Sequence, residues 1–521
     1  MSSENMQTLV GMAAYLLAMV FIGLWYARRS NTNPEEYFLG KRGLGPWVAA
    51  MSAEASDMSG WLLMGLPGVA YFTGIGEAFW TALGLFIGTW INWAIVAKRL
   101  RNYSQIADNA ITLPDFFSKR FHDKHRILTA VAALIIIIFF SIYASSQFVA
   151  FGKLFGYVFG AENYFTAMVI LGAALVTVYT LLGGFLAESM TDLIQGFLMI
   201  SALLLVLAFA FFHTGGFGGI GENLRDFPRF LDIFGIATPD TAGGVQKVVD
   251  GVPLFGPGAN YGFLTIISTM AWGLGYFGMP QVLLRFMAIS KTSNIRKSRN
   301  IAVVWCFLSM FAAVVIGLIG RALLPGLLTS AGASETIFIH LSTRFFPPLL
   351  AGIIVSGILA ASMSSSDSYM LIASSAVSND IVKGIIKKDA DETLVMWIAR
   401  VSMLVITVFG VVLALSGNES IFRIVSYAWA GFGAAFGPLV LFSLFWKRTT
   451  FPAAVAGMLS GGIMVILWKN VIAKAGGVFA VYELLPAFII SALVIWIVSL
   501  FTAKPSAAIE AEFEKAKVTE F

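Results

Sequence analysis

The chain has 521 residues, of which 58% are apolar and only 12% charged, with a formal net charge of +5. Soluble globular chains carry about 25% charged residues, so this composition excludes a disordered protein and an ordinary cytosolic enzyme. The single cysteine, Cys306, excludes an intramolecular disulfide and a Cys-based metal centre.

In chain order, apolar runs long enough to cross a bilayer occur at about 7–27, 46–66, 74–97, 127–156, 164–183, 189–212, 261–288, 300–324, 345–377, 393–416, 421–446, 452–468 and 481–501. These thirteen runs predict an all-α membrane protein. Most Lys and Arg fall in alternate loops, among them Arg28, Arg29, Lys41 and Arg42, then seven between Lys98 and Arg126, then Lys291, Arg296, Lys297 and Arg299. Basic loops face the cytoplasm, so the N-terminus is expected outside and the C-terminus inside. The first run lacks the preceding basic residues and the small-residue cleavage site of a signal peptide. Lys153, Arg321, Arg400 and Arg423 lie near run ends, where long basic side chains can snorkel. The longest outer loop, 213–260, is rich in Gly and Pro. The segment after Lys504 reads as a short amphipathic or disordered tail.

The second run is unlike the others. It carries Glu54 and Asp57 beside Ser59 and Gly60. A carboxylate at a membrane centre costs roughly 2.5–3.5 kcal/mol on insertion scales, so this helix is expected to unwind or to face a wet cavity. The seventh run reads Trp272-Gly-Leu-Gly-Tyr-Phe-Gly-Met-Pro280, three Gly and a Pro within nine residues, which weakens a helix. Its GxGxxG follows no strand and is no nucleotide fingerprint. The two interrupted runs sit five apart and start on opposite sides, so runs two to six and seven to eleven make two inverted units. Paired interruptions of this kind point to a transporter's binding site. The ninth run adds Ala361-Ser-Met-Ser-Ser-Ser-Asp-Ser368, in which positions 361, 364, 365 and 368 share one helical face. Hydroxyls there, with carbonyls from an unwound neighbour, make an all-oxygen site suited to a hard cation. Small-residue packing accounts for the Ser and Ala but not for Asp367. No His, Cys or carboxylate constellation for catalysis is present, so the chain is not expected to be an enzyme.

The stretches Ser56–Gly68, Trp272–Gly278, Arg285–Ala288 and Ser426–Pro438, with Leu113–Phe117, Gly183–Ala187 and Lys504–Ala508, resemble the sodium:solute symporter family, and the motif around Asp57 resembles its proline-carrying branch. The resemblance implies a LeuT-type 5+5 inverted repeat with one extra N-terminal and two extra C-terminal helices, in a bacterial inner membrane. It divides the chain into a first span and loop (1–45), a first repeat (46–213), an extracellular loop (214–260), a second repeat (261–446), two extra spans (447–501) and a cytoplasmic tail (502–521). It implies coupled uptake of Na⁺ and L-proline by alternating access, with Na⁺ as coupling ion. Partners would be proline and membrane lipid, with no nucleic acid and no obligate protein partner.

By the same resemblance the sodium site would use carbonyls of Ala55, Met58 and Ala361 and hydroxyls of Ser364 and Ser365. Asp57, Asp192 and Arg42 match positions linked to sodium binding or release. Asp192 alone also reads as a helix-capping acid, and Arg42 alone as a topology charge. Asp367 is either a buried hydrogen-bonded acid or part of a second cation site with Asp192 and Ser368. Proline would lie near Ser59, Gly60, Trp61, Tyr143, Trp272 and Tyr276. Its carboxylate suits free N–H groups and the positive end of a half helix, and no Arg is expected mid-span beside this cluster. Glu54 stands where a small residue is expected. The alternatives are a Na⁺-coupled carrier of another small organic solute, or an uncoupled channel or membrane sensor. Against the last two stand the lack of a repeated pore segment and of a soluble output domain.

Overall fold

The computed structural model describes residues 3–30, 38–182, 184–417, 420–519 and 521, and for 26–30, 162 and 182 the backbone alone. Gly183 and the side chains of Arg28 and Arg29 therefore lie outside the described residues. Helices dominate: α1 (Ser3–Ser30), α2 (Pro46–Gly60), α3 (Leu66–Thr73), α4 (Ile75–Ile91), α5 (Ala97–Ile106), α6 (Leu113–Arg120), α7 (Ile127–Phe159), α8 (Phe165–Leu182), α9 (Phe185–Thr214), α10 (Gly216–Leu224), α11 (Phe263–Met270), α12 (Pro280–Ala288), α13 (Ile295–Leu323), α14 (Ala331–Ser334), α15 (Ile337–Phe345), α16 (Pro348–Ser375), α17 (Glu392–Ser416), α18 (Ile421–Phe445), α19 (Phe451–Asn470), α20 (Leu484–Phe501) and α21 (Ala507–Val518).

Among the described residues, ten helices are long and apolar enough to cross a membrane. The other three expected runs are the shorter α8 and the two interrupted ones. The second run continues past its expected end at 66. After α2 it passes through one wide turn, Trp61–Gly65, and continues as α3 to Thr73. The seventh comprises α11, a tight 3₁₀ stretch Ala271–Phe277, and α12. Pro280 stands in the first turn of α12, where its missing N–H costs nothing.

The bundle is layered by burial. α16 packs against α1, α2, α7 and α9, and from Ser362 to Tyr369 every one of its residues is buried. α2 is buried throughout from Ala49 to Gly60. The apolar faces of α1, α17 and α20 remain open, with Leu17, Val405, Val408 and Leu493 among their exposed residues, as lipid-facing helices require. Glycines let the central helices approach closely: a Cβ on Gly84 would stand 2.7 Å from Met270 Cα, and one on Gly88 2.6 Å from Gly273 Cα. These contacts seat α4 against the 3₁₀ stretch.

The loop after α9 is not simply Gly- and Pro-rich coil. It holds α10 and three two-stranded antiparallel ribbons, pairing Gly235–Ile236 with Ala259–Asn260, Thr241–Ala242 with Val245–Gln246, and Val248–Val249 with Val252–Pro253. The ribbons are anchored by Arg321, whose guanidinium donates to Gln246 Oε1 at 2.7 Å and to Pro325 O at 2.6 Å. It stacks on Tyr71 and Phe255 at 4.6 and 5.0 Å. Arg321 is fully buried and does not snorkel. Neither does Lys153, which pairs with Glu335 Oε2 at 2.5 Å and Gly332 O at 2.8 Å. The tail forms α21, whose Phe513 is buried against Tyr103 of α5.

Candidate functional site

The second run breaks where its sequence is most polar. Ser59 has φ 53° and ψ −176°, a conformation rare for a residue with a side chain. Its hydroxyl accepts a hydrogen bond from Trp61 N–H at 3.2 Å, and Gly60 N–H donates to Gln147 Oε1 on α7 at 2.9 Å. The break thus turns backbone polar groups toward side chains instead of the next helical turn. Tyr143, one turn before Gln147, donates its hydroxyl to Asp57 O at 3.2 Å. The Asp57 carboxylate accepts from Gln281 Nε2 at 3.2 Å, which links the second run to the start of α12 just beyond the break in the seventh. Tyr143 also stacks on Tyr369 of α16 at 4.3 Å.

The last carbonyls of a helix segment have no partners within it, and here they meet the hydroxyl face of α16. Ser364 Oγ donates to Ala55 O at 2.8 Å, and Ser365 Oγ approaches the same carbonyl at 3.4 Å. Ser364 Oγ also lies 3.1 Å from Ala361 O. Ala55, Ala361, Ser364 and Ser365 therefore converge as neutral oxygens. Met58 O accepts from Trp61 N–H. Neutral carbonyl and hydroxyl oxygens are the donor set a small hard cation takes. Among the described residues no group of three or more His, Cys, Asp or Glu could hold a transition metal.

Next to these oxygens lies a cluster with formal charges. Arg285 of α12 is fully buried and bonds Glu188, Asp192 Oδ2 at 3.3 Å, Ser368 Oγ at 2.8 Å and Ser52 Oγ at 3.0 Å. Ser52 Oγ donates to Asp192 Oδ2 at 2.7 Å, and Ser368 bonds Glu188. Asp367 accepts from Thr180. Asp192 sits two turns into α9 and does not cap it. Arg285, in the last turn of α12, supplies the counter-charge that the low dielectric requires for Glu188 and Asp192. Asp192 Oδ1, Glu188 Oε2 and Glu54 Oε2 are buried with no hydrogen-bond partner among the described residues.

On the far side of the break, aromatic rings close over one another. Trp61 and Trp272 are 5.4 Å apart, and both contact Phe422, at 5.7 and 5.3 Å. Tyr482 stacks on Trp272 at 5.4 Å, and Tyr276 meets Trp429 edge-on at 5.0 Å. Trp429 donates its indole N–H to Trp272 O at 2.8 Å, satisfying a carbonyl of the 3₁₀ stretch. A Cβ on Gly275 would collide with that indole. Trp272, Phe422 and Tyr482 border a cavity of about 300 Å³ that also reaches Phe72 and Glu335. At the other end of the run, Arg42 donates to Ser104 Oγ, Met287 O, Ala110 O and Asn109 Oδ1 at 2.6–3.0 Å. Leu44 and Ala288–Ser290 exchange backbone hydrogen bonds beside it. Arg42 is a strut between loops rather than a topology charge alone.

The structure thus brings Ser59, Gly60, Trp61, Tyr143, Trp272 and Tyr276 into one region around the two breaks. Gln147, Gln281, Glu188, Arg285, Phe422, Trp429 and Tyr482 join them without having been singled out for a role. Gln147 and Gln281 carried a signal, each a lone amide in an apolar stretch.

The model of the Sodium:solute symporter family matches residues 37–461. The chain belongs to the sodium:solute symporter family. It is 43% identical over 512 residues to the sodium/proline symporter of Salmonella typhimurium, covering 98% of this chain and 96% of that protein. It is 42% identical over 506 residues to the osmoregulated proline transporter of Bacillus subtilis, covering 97% and 96%. Among solved structures it resembles a Na⁺-coupled sialic acid symporter in a substrate-bound outward-open state, with TM-score 0.72, 18% identity, and coverage of 96% and 99%. It also resembles MhsT in complex with L-phenylalanine, with TM-score 0.54, 16% identity, and coverage of 87% and 97%. The fold is the LeuT-type transporter fold, and the second and seventh runs are both discontinuous.

Proposed function

We propose that this membrane protein is a secondary active transporter, not an enzyme, that couples inward Na⁺ flow to uptake of L-proline by alternating access. The observation that carries the reading is the double break at Ser59 and at the Ala271–Phe277 stretch, flanked on one side by neutral oxygens and on the other by indole and phenol rings. Near-full-length identity to proteins named as proline transporters supports proline over other solutes.

In this reading Na⁺ is held by the carbonyls of Ala55, Met58 and Ala361 and the hydroxyls of Ser364 and Ser365. Asp57, between Ala55 and Met58 in sequence, supplies negative charge beside the site. Proline lies among Ser59, Gly60, Trp61, Tyr143, Trp272 and Tyr276, its ring against Trp272 and its carboxylate toward backbone N–H groups at the break. Residues 46–213 and 261–446 form the inverted repeats within a thirteen-span topology. The Arg42 end faces the cytoplasm, as the basic loops favour, and the Trp272 cavity faces outward. The Arg42 strut holds the inner passage shut, and its release accompanies Na⁺ exit. The Arg285 guanidinium sits between Asp192 and Ser368, which favours one transported Na⁺ at the serine face over a second ion at Asp192, Asp367 and Ser368.

Uptake of labelled proline into proteoliposomes tests the reading. One charge crossing 100 mV contributes about 2.3 kcal/mol, and a tenfold Na⁺ gradient roughly 1.4 kcal/mol. Together they support accumulation of several hundredfold. Uptake that is unchanged when K⁺ replaces Na⁺ refutes the coupling, and sodium-driven uptake that excludes proline refutes the substrate.

A further inference from the structure

We propose that a lateral groove between α2, α9 and α13 binds one anionic phospholipid, with its headgroup on Arg296 and Lys297 and an acyl chain along α13. The groove has a volume of about 680 Å³ and opens on the bundle surface. Its composition changes along its length. On α13 two rows of residues four apart line it: Arg296, Asn300, Val304 and Leu308, and beside them Lys297, Ile301 and Trp305. Each row begins with a cation and becomes apolar. Trp47 and Met51 of α2 and Phe197 and Ile200 of α9 form the facing wall, with the Trp47 and Phe197 rings 6.0 Å apart.

The dimensions and the charge both fit. From Arg296 to Leu308 is twelve helical residues, about 18 Å, against roughly 15 Å for one hydrocarbon leaflet. Val304 is 58% exposed and Phe197 47% exposed, so the groove presents apolar surface that the bundle itself does not cover. No acidic residue lines it, and no Asp or Glu occurs anywhere from Gly251 to Ser334. Arg296 and Lys297 are exposed and form no ion pair with a described residue. Two unpaired cations at the polar end of an apolar trough match a phosphodiester with negative charge above a hydrocarbon chain.

The floor of the groove lies one helical turn from residues of the proposed cation site and of the Arg285 cluster. Trp305 donates its indole N–H to Gly196 O at 3.1 Å, and Met51 packs against the same glycine. Gly196 stands one turn beyond Asp192, and Met51 one turn before Ala55. Ser298 Oγ also donates to Pro46 O at 3.1 Å, so α13 is tied to the start of α2. A chain seated there braces the junction of α13 with α2, which carries Ala55 and Met58, and with α9, which carries Glu188 and Asp192.

The test uses the full-length chain, purified in detergent and shown monodisperse, mixed with equal amounts of phosphatidylglycerol and phosphatidylcholine. Retained lipid is counted by native mass spectrometry. Wild type is expected to retain one phosphatidylglycerol in preference to phosphatidylcholine. Arg296→Gln with Lys297→Gln should lower that preference by roughly thirtyfold, whereas Lys387→Gln with Lys388→Gln, in another basic loop, should not. Val304→Trp keeps both cations but fills the trough, and should also lose the lipid. Retention of both lipids without preference, equal retention by the Arg296/Lys297 double variant, or undiminished retention by Val304→Trp each overturns the proposal. The first indicates bulk solvation, the second a site elsewhere, and the third a headgroup contact without a seated chain.

Discussion

Removing the Ser364 hydroxyl probes the sodium site at its best-placed side chain. Ser364 Oγ lies 2.8 Å from Ala55 O and 3.1 Å from Ala361 O, whereas Ser365 Oγ is 3.4 Å from Ala55 O. Substitution by Ala deletes one of the converging oxygens and leaves Ala55 O with only the longer Ser365 contact. An interaction between a polar group and a charged partner is worth about 1.5–3 kcal/mol. At 1.4 kcal/mol per decade, the Na⁺ concentration for half-maximal uptake should rise about 10- to 150-fold. Ser365→Ala, losing the longer contact, should raise it less. The assay is initial-rate proline uptake in proteoliposomes across a Na⁺ series, repeated at saturating Na⁺ across a proline series. In the second series the half-saturating proline concentration should move far less than the sodium value. If proline affinity falls while the sodium curve stays put, Ser364 belongs to the substrate and the cation assignment is wrong. If Ser365→Ala proves the more damaging of the two, the ordering drawn from the distances fails.

Asp57→Asn retains an oxygen for Gln281 Nε2 but loses the charge, so uptake should fall and its Na⁺ dependence weaken; an unaltered sodium curve would make Asp57 a structural residue. Trp272→Ala should weaken proline affinity by roughly 1.5–3 kcal/mol, the value of burying a large apolar side chain, while Na⁺ binding without proline persists; unchanged proline affinity in a monodisperse variant removes Trp272 from the pocket. Arg285→Gln leaves Glu188 and Asp192 buried without a counter-charge, at a cost of about 3–5 kcal/mol. Its thermal unfolding in detergent should drop markedly and be partly restored by Arg285→Lys, and a variant as stable as wild type would show that the ion cluster is not what holds α12 in place. Gly275→Ala forces the Trp429 indole away from Trp272 O and should lower proline affinity more than Gly262→Ala, whose Cβ meets nothing within 4 Å; equal behaviour would refute the packing argument.

Much of this architecture is legible in the sequence because a bilayer punishes polarity. Glu54 and Asp57 in one run, and three Gly with a Pro in another, are costly enough to announce breaks, and the Ser364–Ser365 face follows from helical spacing. What escaped reading depends on contacts distant in the chain. Arg285 looks like an ordinary basic residue at the end of a run until α9 and α16 bring Glu188, Asp192 and Ser368 around it. Phe422 and Tyr482 are routine aromatics whose place over Trp272 is decided by how α18 and the loop before α20 fold back. The break itself falls at Ser59 rather than at either Gly60 or Pro67, since Gln147 and the Ser59 hydroxyl receive the freed amides.

The guanidinium of Arg321, enclosed by Tyr71 and Phe255 and bonded to Gln246, bears on how this molecule can be rebuilt. Loops between membrane helices are usually treated as interchangeable parts. Here the loop supplies Phe227, Phe230, Gln246 and Phe255 as walls of a cage whose other ring, Tyr71, comes from α3 and whose occupant comes from α13. A chimera that takes the loop of a relative without that glutamine and those phenylalanines inherits a buried cation with too few neighbours. A chimera that takes the helix without the loop has the same defect from the other side. Loop and helix therefore form one unit of inheritance, to be exchanged together or not at all.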